Sequence, residues 1–344
     1  MLFNPGVGAE GLSTEFLDTQ DEATVVKIPA SVYSGEENRV GIFYLFTLWI
    51  VSLIALITNL PFVLGVMIWQ LITKRKFSLK GAIWIIGRSK WHRSSPFVDW
   101  FSRLNHDSKV YAAGWRSLDI FYNFHEKFAG QIKNGGLENW LTKYWIERME
   151  NRQSVANRRK IATQLMVRAF RKFAGEPEIR LVSVASGSAQ AVVDAMLLEP
   201  CLNVKVVLLD DSATALGEAE KRVEQAGLSS SFKFIKGKTK ELEGICKNFH
   251  PHIIEMIGFL DYRPDQSAIS LMSRIRKQLL PGGIFISCNI NWNKEMIFLW
   301  TVLLWPMFYR SAGKFKKLIM ESGFHDVELY SDCFRIHTIS VCQK

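Results

Sequence analysis

Between residues 40 and 73 the chain carries no charged residue: VGIFYLFTLWIVSLIALITNLPFVLGVMIWQLIT. A helix needs roughly 20 apolar residues to cross a bilayer, so this run is longer than one crossing. Asn59-Leu60-Pro61 interrupts it, and proline disfavours helix at the residue before it. Two shapes satisfy the pattern. One is a spanning helix around Ile42–Thr58 that runs on past a kink; the other is a helical hairpin with two short arms that enters from one face. The run is too long for the apolar core of a secretory leader, and a polar, net acidic segment precedes it. A buried helix pair in a soluble core is the alternative, but such helices usually carry charge at their edges. The expectation is a membrane anchor.

The charge around the run is uneven, within a formal total of +10. Residues 1–39 form a polar, acidic tail with Glu10, Glu15, Asp18, Asp21, Glu22, Glu36 and Glu37 against Lys27 and Arg39. The stretch 74–103 holds Lys74, Arg75, Lys76, Lys80, Arg88, Lys90, Arg93 and Arg103 against Asp99 alone. Basic flanks stay on the cytoplasmic side, which places the rest of the chain in the cytosol. Anionic headgroups explain this block better than nucleic acid, and Trp84, Trp91 and Trp100 suit the headgroup zone. The expected partner is a membrane lipid surface, with no nucleic acid. Cys201, Cys246, Cys288, Cys333 and Cys342 are scattered without a C-x-x-C pair, which argues against a zinc site and a disulfide framework.

Residues 74–144 read as a basic, aromatic-rich helical region, and 145–173 as a long helix whose Arg158-Arg159-Lys160 cluster suits a solvated face. After Gly175-Glu176-Pro177 the texture changes. Short β-rich runs alternate with helical stretches, the signature of a parallel sheet with crossover helices. Strands are expected at 179–184, 204–209, 232–235, 252–257 and 284–288, the last entered through Pro281-Gly282-Gly283. A helix at 314–320, a Gly323-Phe324 turn and strands at 327–330 and 336–342 then close the sheet as an antiparallel hairpin.

In open α/β sheets ligands bind beyond the carboxyl ends of the strands. Small residues follow the first strand in Ala185-Ser186-Gly187-Ser188-Ala189, letting a backbone approach a cofactor. Asp210 ends the second strand, where an acid accepts hydrogen bonds from ribose hydroxyls. A nicotinamide-dependent oxidoreductase shares both features, but G-x-G-x-x-G is absent.

Taken together, VSVASGSA, LLDDS, LLPGG and the terminal ESGF with its hairpin resemble class I S-adenosylmethionine-dependent methyltransferases, over residues 145–344. The segment Trp305-Pro306-Met307-Phe308-Tyr309-Arg310-Ser311 is similar to one subgroup of them. The resemblance implies a Rossmann-like methyltransferase sheet, preceded by helical segments and a transmembrane or hairpin region at 40–73. It also implies S-adenosyl-L-methionine as cofactor. Carried over by position, Ser183, Ala185, Gly187 and Ala189 fill the first loop, Asp210 takes the ribose with Asp211 beside it among the cofactor-binding residues, Lys238 lies near the adenine and Ile257 lies beside the methyl-bearing end. The usual E/D-x-G-x-G-x-G here keeps one glycine of three and no leading acid, and Lys238 replaces an acid. Residues 296–308 are uncharged and suit a core helix, a lid over an acceptor pocket or a second membrane contact. A small hydrophobic or lipid-like methyl acceptor is therefore expected. Asp261, Tyr262, Asn289, Asn291 and Trp292 are candidates for a general base or for acceptor positioning. A non-catalytic interaction module at a membrane is the alternative.

Overall fold

The computed structural model describes residues 24–74, 79, 82, 98, 101–132 and 136–344. Most of the acidic tail and most of the basic block, with Trp84, Trp91 and Trp100, lie outside the described residues. The chain forms two compact units: Met1–Gly35 with Asn157–Asn291 and Phe308–Lys344, and Glu36–Ala156 with Trp292–Met307.

The first unit is built on an eight-stranded sheet in the order β1-β7-β8-β6-β5-β2-β3-β4. The strands are β1 (Val26–Lys27), β2 (Ile179–Val184), β3 (Val204–Asp210), β4 (Phe232–Lys236), β5 (Ile253–Met256), β6 (Ile284–Ile290), β7 (Asp326–Ser331) and β8 (His337–Gln343). Strands β2 to β6 run parallel, and β8 inserts antiparallel between β6 and β7. The central strands are Val- and Ile-rich and buried on both faces, as parallel sheets under crossover helices must be. On one face, Ile161, Leu165 and Phe170 of the helix Glu150–Lys172 and Val192 of the helix Gln190–Leu198 cover Leu181, Leu208, Ile253 and Ile286. On the other, the helices Leu242–Phe249, Asp265–Gln278 and Ala312–Glu321 cover Val182, Val207, Ile254 and Phe285.

The turn into β6 requires its second glycine. A Cβ on Gly283 would lie 2.9 Å from the Leu280 carbonyl and 3.0 Å from that of His252. Ahead of the sheet in sequence, β1 pairs parallel with β7, matching Val26 to Tyr330. Residues 26 and 27 of the segment expected as a polar tail thus extend the sheet edge.

In the second unit the apolar run forms the helix Ile42–Lys74 with Pro61 inside it. Proline deletes a backbone donor and crowds the preceding turn, and the two arms, Ile42–Thr58 and Leu60–Thr73, meet at 47°. No single helix among the described residues is long and apolar enough to cross a membrane, although this bent pair meets length and composition together. One stripe is buried at helical spacing, through Tyr44, Leu48 and Ser52, then Val63, Met67 and Gln70. The Tyr44 hydroxyl donates to the Trp145 carbonyl, and Val63 and Met67 pack on Leu304. Residues 296–308 include the helix Met296–Thr301. Within it Phe298 stacks on Trp145 at 5.1 Å, so this stretch helps form the core of the second unit.

Two fully buried ionisable side chains in this unit, Arg152 and Glu295, each have specific partners. Arg152, fully buried, grips the Glu36 carboxylate with two guanidinium nitrogens at 2.5 and 2.7 Å. Burial alone would push the Glu36 carboxyl up; the Arg152 hydrogen bonds and charge outweigh it and hold the group below its usual value. Glu295 accepts the backbone N–H of Glu150 at 2.9 Å and of Asn151 at 2.7 Å, so its carboxylate caps the first turn of Glu150–Lys172. Burial nevertheless pushes Glu295 up to about 7, with the neighbouring Glu150 charge adding to the rise.

The folded state therefore keeps a proton on Glu295 that the unfolded chain has already released. Stability from this group is full at acid pH and declines as pH rises from the ordinary carboxyl range through about 7. The ceiling is on the order of 3 kcal/mol. Melting temperatures at pH 5.5 and pH 8 should differ less in Glu295→Gln than in the wild type. Equal differences would show that Glu295 does not titrate in this interval.

Candidate cofactor site

Five polar side chains form a row across one face of the sheet near the carboxyl ends of its parallel strands. Asp210 lies two residues beyond Leu208 on β3, Ser183 two beyond Leu181 on β2, and Glu255 two beyond Ile253 on β5. Cys288 follows on β6 and His337 on β8, two residues before Ile339. Side chains alternate between faces along a strand, so all five continue the face formed by Leu208, Leu181, Ile253, Cys288 and Ile339. The register sets Ser183 directly beside Glu255 and Ile290 beside His337. All five are buried.

The loop leaving β2 runs over the Asp210 end of this row. Ala185, Gly187 and Ala189 have φ of 54°, 55° and 53°. The left-handed conformation thus recurs at every second residue, where the family pattern places its three glycines. Two alanines occupy it at a cost of roughly 1–2 kcal/mol each. At Gly187 a Cβ would meet nothing within 4 Å, so there is open space beside the loop at this position. The Gly187 N–H donates to Asp210 Oδ2 at 2.8 Å, and the Ser212 N–H donates to Oδ1 at 2.8 Å. Burial raises the Asp210 carboxyl, against the hydrogen bonds from Ser212 and Gly187. Asp211 beside it is exposed.

The Ser183 hydroxyl donates to Glu255 Oε2 at 2.5 Å, and the Ile257 N–H donates to Oε1 at 3.0 Å. Burial pushes Glu255 up to about 7, while the Ser183 and Ile257 hydrogen bonds and the Arg158 charge pull it down. Arg158 faces the row from its covering helix, 3.8 Å from Cys288 Sγ and 3.9 Å from Asp261 Oδ2. Both Arg158 and Arg159 are buried, and Arg159 pairs with Asp194 at 3.2 Å. The expectation of a solvated face for this cluster is corrected on that ground.

The remaining sequence candidates are placed differently. Lys238 is exposed in the loop after β4 and donates its N–H to Glu241; the preceding Gly237 N–H donates to the Asp210 carbonyl at 2.9 Å, so this loop lies beside the Asp210 end of the row. Asp261 acts as a brace. Its carboxylate accepts the Ile290 N–H at 2.7 Å and its carbonyl accepts the Phe308 N–H at 2.7 Å. Asn289 donates to the Arg310 carbonyl, and Asn291 donates to the Arg335 carbonyl and to Thr338. Arg310, itself 2 % exposed, binds Asp265, the Leu260 carbonyl and the Arg263 carbonyl. Trp292 is 65 % exposed and belongs to the second unit. Sequence reasoning missed Glu255, Arg158, Cys288 and His337. Its one available signal for Glu255 was a lone acid inside an otherwise apolar strand.

A sheet of parallel strands ended by an antiparallel hairpin, with a left-handed loop after its first long strand and an acid ending the next, defines the class I methyltransferase architecture. The chain belongs to the methyltransferase family described as "Putative methyltransferase", whose model matches residues 106–344. No curated protein matches the sequence. Among solved structures, a possible exported protein from Bordetella parapertussis is similar at 17% identity and TM-score 0.55, covering 77% of this chain and 95% of that one. A "putative O-methyltransferase" from Nostoc punctiforme is similar at 15% identity and TM-score 0.45, covering 88% and 98%. Human N-acetylserotonin methyltransferase, solved with S-adenosylmethionine, is similar at 14% identity and TM-score 0.40, covering 70% and 68%.

S-adenosylmethionine is the cofactor expected of this family. The residues present fit it: an open backbone loop at Gly187 and a carboxylate at Asp210 whose oxygens each retain acceptor capacity after one backbone contact.

Replacing Ala185 or Ala189 by glycine removes left-handed strain but enlarges the unfolded ensemble. The net gain should be below about 1 kcal/mol per site, read as a higher urea midpoint at unchanged slope. A lower midpoint for both variants would show that the loop does not hold these dihedrals.

Proposed function

We propose that the protein is an S-adenosylmethionine-dependent methyltransferase held at a membrane surface, acting on a small hydrophobic or lipid-like acceptor. The observation that carries the enzyme reading is the left-handed alternation at Ala185, Gly187 and Ala189, tied to Asp210. S-adenosylmethionine, when bound, supplies an electrophilic methyl group on a sulfonium. The chain's own work is to bind, align and keep water away. Asp210 takes the ribose hydroxyls, and the Gly187 loop admits the cofactor backbone-first. Ile257, half-buried after β5, borders the methyl-bearing end.

The membrane reading is supported by the second unit. Phe43, Phe46, Leu53, Ile57, Leu64 and Ile72 of the bent helix are exposed, forming a larger apolar surface than a water-facing helix sustains. The basic residues after the helix favour a cytosolic face for the sheet unit.

Isothermal titration should show S-adenosylmethionine and S-adenosylhomocysteine binding and no NAD binding. Asp210→Ala should weaken both sulfur ligands by about tenfold or more, the loss of one or two charge-assisted hydrogen bonds. Folded protein that binds neither sulfur ligand would overturn the enzyme reading.

The membrane reading is tested by replacing Phe46, Leu53, Ile57 and Leu64 together with lysine. Truncation is unsuitable, because Val26–Lys27 belongs to the sheet. The wild type should remain in carbonate-washed membranes and the variant should move to the soluble fraction. Wild-type protein in the soluble fraction would overturn it.

A further inference from the structure

We propose that Glu255 takes the α-ammonium of S-adenosylmethionine, supplying from β5 the carboxylate that position 183 lacks at the head of the cofactor loop. This rests on the S-adenosylmethionine reading of the site. Position 183 opens the E/D-x-G-x-G-x-G pattern, and here it is serine. Its hydroxyl is turned onto the carboxylate of its register partner, Glu255, at 2.5 Å. The acid is thus displaced sideways by one strand and remains at the same height in the sheet.

Three features point to a cationic ligand end at this position. Glu255 is 6 % exposed, and a buried carboxylate is costly unless a positive or donating group meets it. Ser183 and the Ile257 N–H hold one oxygen each, fixing its direction while leaving lone pairs on both. Asp210 on β3 is separated from Glu255 by β2 alone and lies two residues further along the strand direction, so about 12 Å divides the two backbone positions, and the side chains reach into that span. That span is comparable to the one between the ribose and the amino-acid end of an extended S-adenosylmethionine. An acid at each end of the span matches hydroxyls at one end and an ammonium at the other. Arg158, the charged neighbour on the covering helix, already draws Glu255 toward ionisation, and a ligand ammonium would act in the same direction.

The test separates ligand binding from support of the fold. Titration calorimetry compares S-adenosylhomocysteine, which carries the ammonium, with 5′-methylthioadenosine, which lacks the amino-acid end. In Glu255→Gln the first should bind about tenfold or more weakly and the second within about twofold of wild type. The exchanged variant Ser183→Glu/Glu255→Ser should recover most of the loss for the first ligand. Should Glu255→Gln fail to melt cooperatively, Glu255→Asp takes its place, with the same selective loss expected. Equal weakening of both ligands would overturn the proposal in favour of a purely structural acid, and so would unchanged binding of both. Wild-type protein that binds neither ligand would instead overturn the S-adenosylmethionine reading itself, and this proposal with it.

Discussion

The carboxylate of Asp210 holds two turns at once, and the shape of the candidate site depends on it. One oxygen accepts the Gly187 N–H from the loop after β2, and the other accepts the Ser212 N–H from the turn after β3. Ala185 and Ala189 sit in a conformation that costs each roughly 1–2 kcal/mol. A hydrogen bond to a charged group contributes roughly 1.5–3 kcal/mol, so the two backbone contacts are of the size needed to offset the strain. Glycines would make the loop intrinsically tolerant of its dihedrals; here a neighbouring strand's acid enforces them. The residue that touches the ligand in this reading also keeps the cradle in shape.

The apolar helix follows a different logic. Its buried stripe, from Tyr44 to Gln70, is satisfied within the second unit by Trp145 and Leu304. The rest of its circumference is as apolar as the stripe. A helix that served only to pack would need one apolar face. The surplus apolar surface is what the proposed membrane contact would cover. Pro61 shapes it, because the 47° bend divides the run into two arms, each shorter than a bilayer crossing.

Much of the sheet was legible in the sequence, because a strand buried on both faces has a strong local signature. The expected strands 179–184, 204–209, 232–235, 252–257 and 284–288 agree with the structure to within two residues, and the Pro281-Gly282-Gly283 turn sits where Gly283 alone fits. Val26–Lys27 was illegible, since a two-residue edge strand is made by its partner rather than by its own pattern. The buried polar row was half legible. Asp210 ends its strand and stands out, whereas Ser183 and Glu255 matter only as register partners, and register between distant segments leaves no local trace. Arg158 was misread for the same reason: a cluster of three basic residues suits solvent until a helix is laid on a sheet whose row is polar.

The composition of that row also limits the chemistry available to it. Burial pushes the Cys288 thiol up to about 12, with the Arg158 charge only partly opposing, so at neutral pH the sulfur is a thiol and a poor nucleophile. His337 is held well below its ordinary value by burial and then by Arg158. It therefore stays a neutral imidazole across the physiological range, outside the window where a histidine exchanges protons efficiently. Covalent catalysis and strong general-base catalysis by these two groups are both disfavoured. What remains is a buried, mostly charge-compensated row whose carboxylates lie at Asp210 and Glu255. Such a row suits a reaction in which the reactive group arrives preformed on the cofactor, and the protein's contribution is to set its direction.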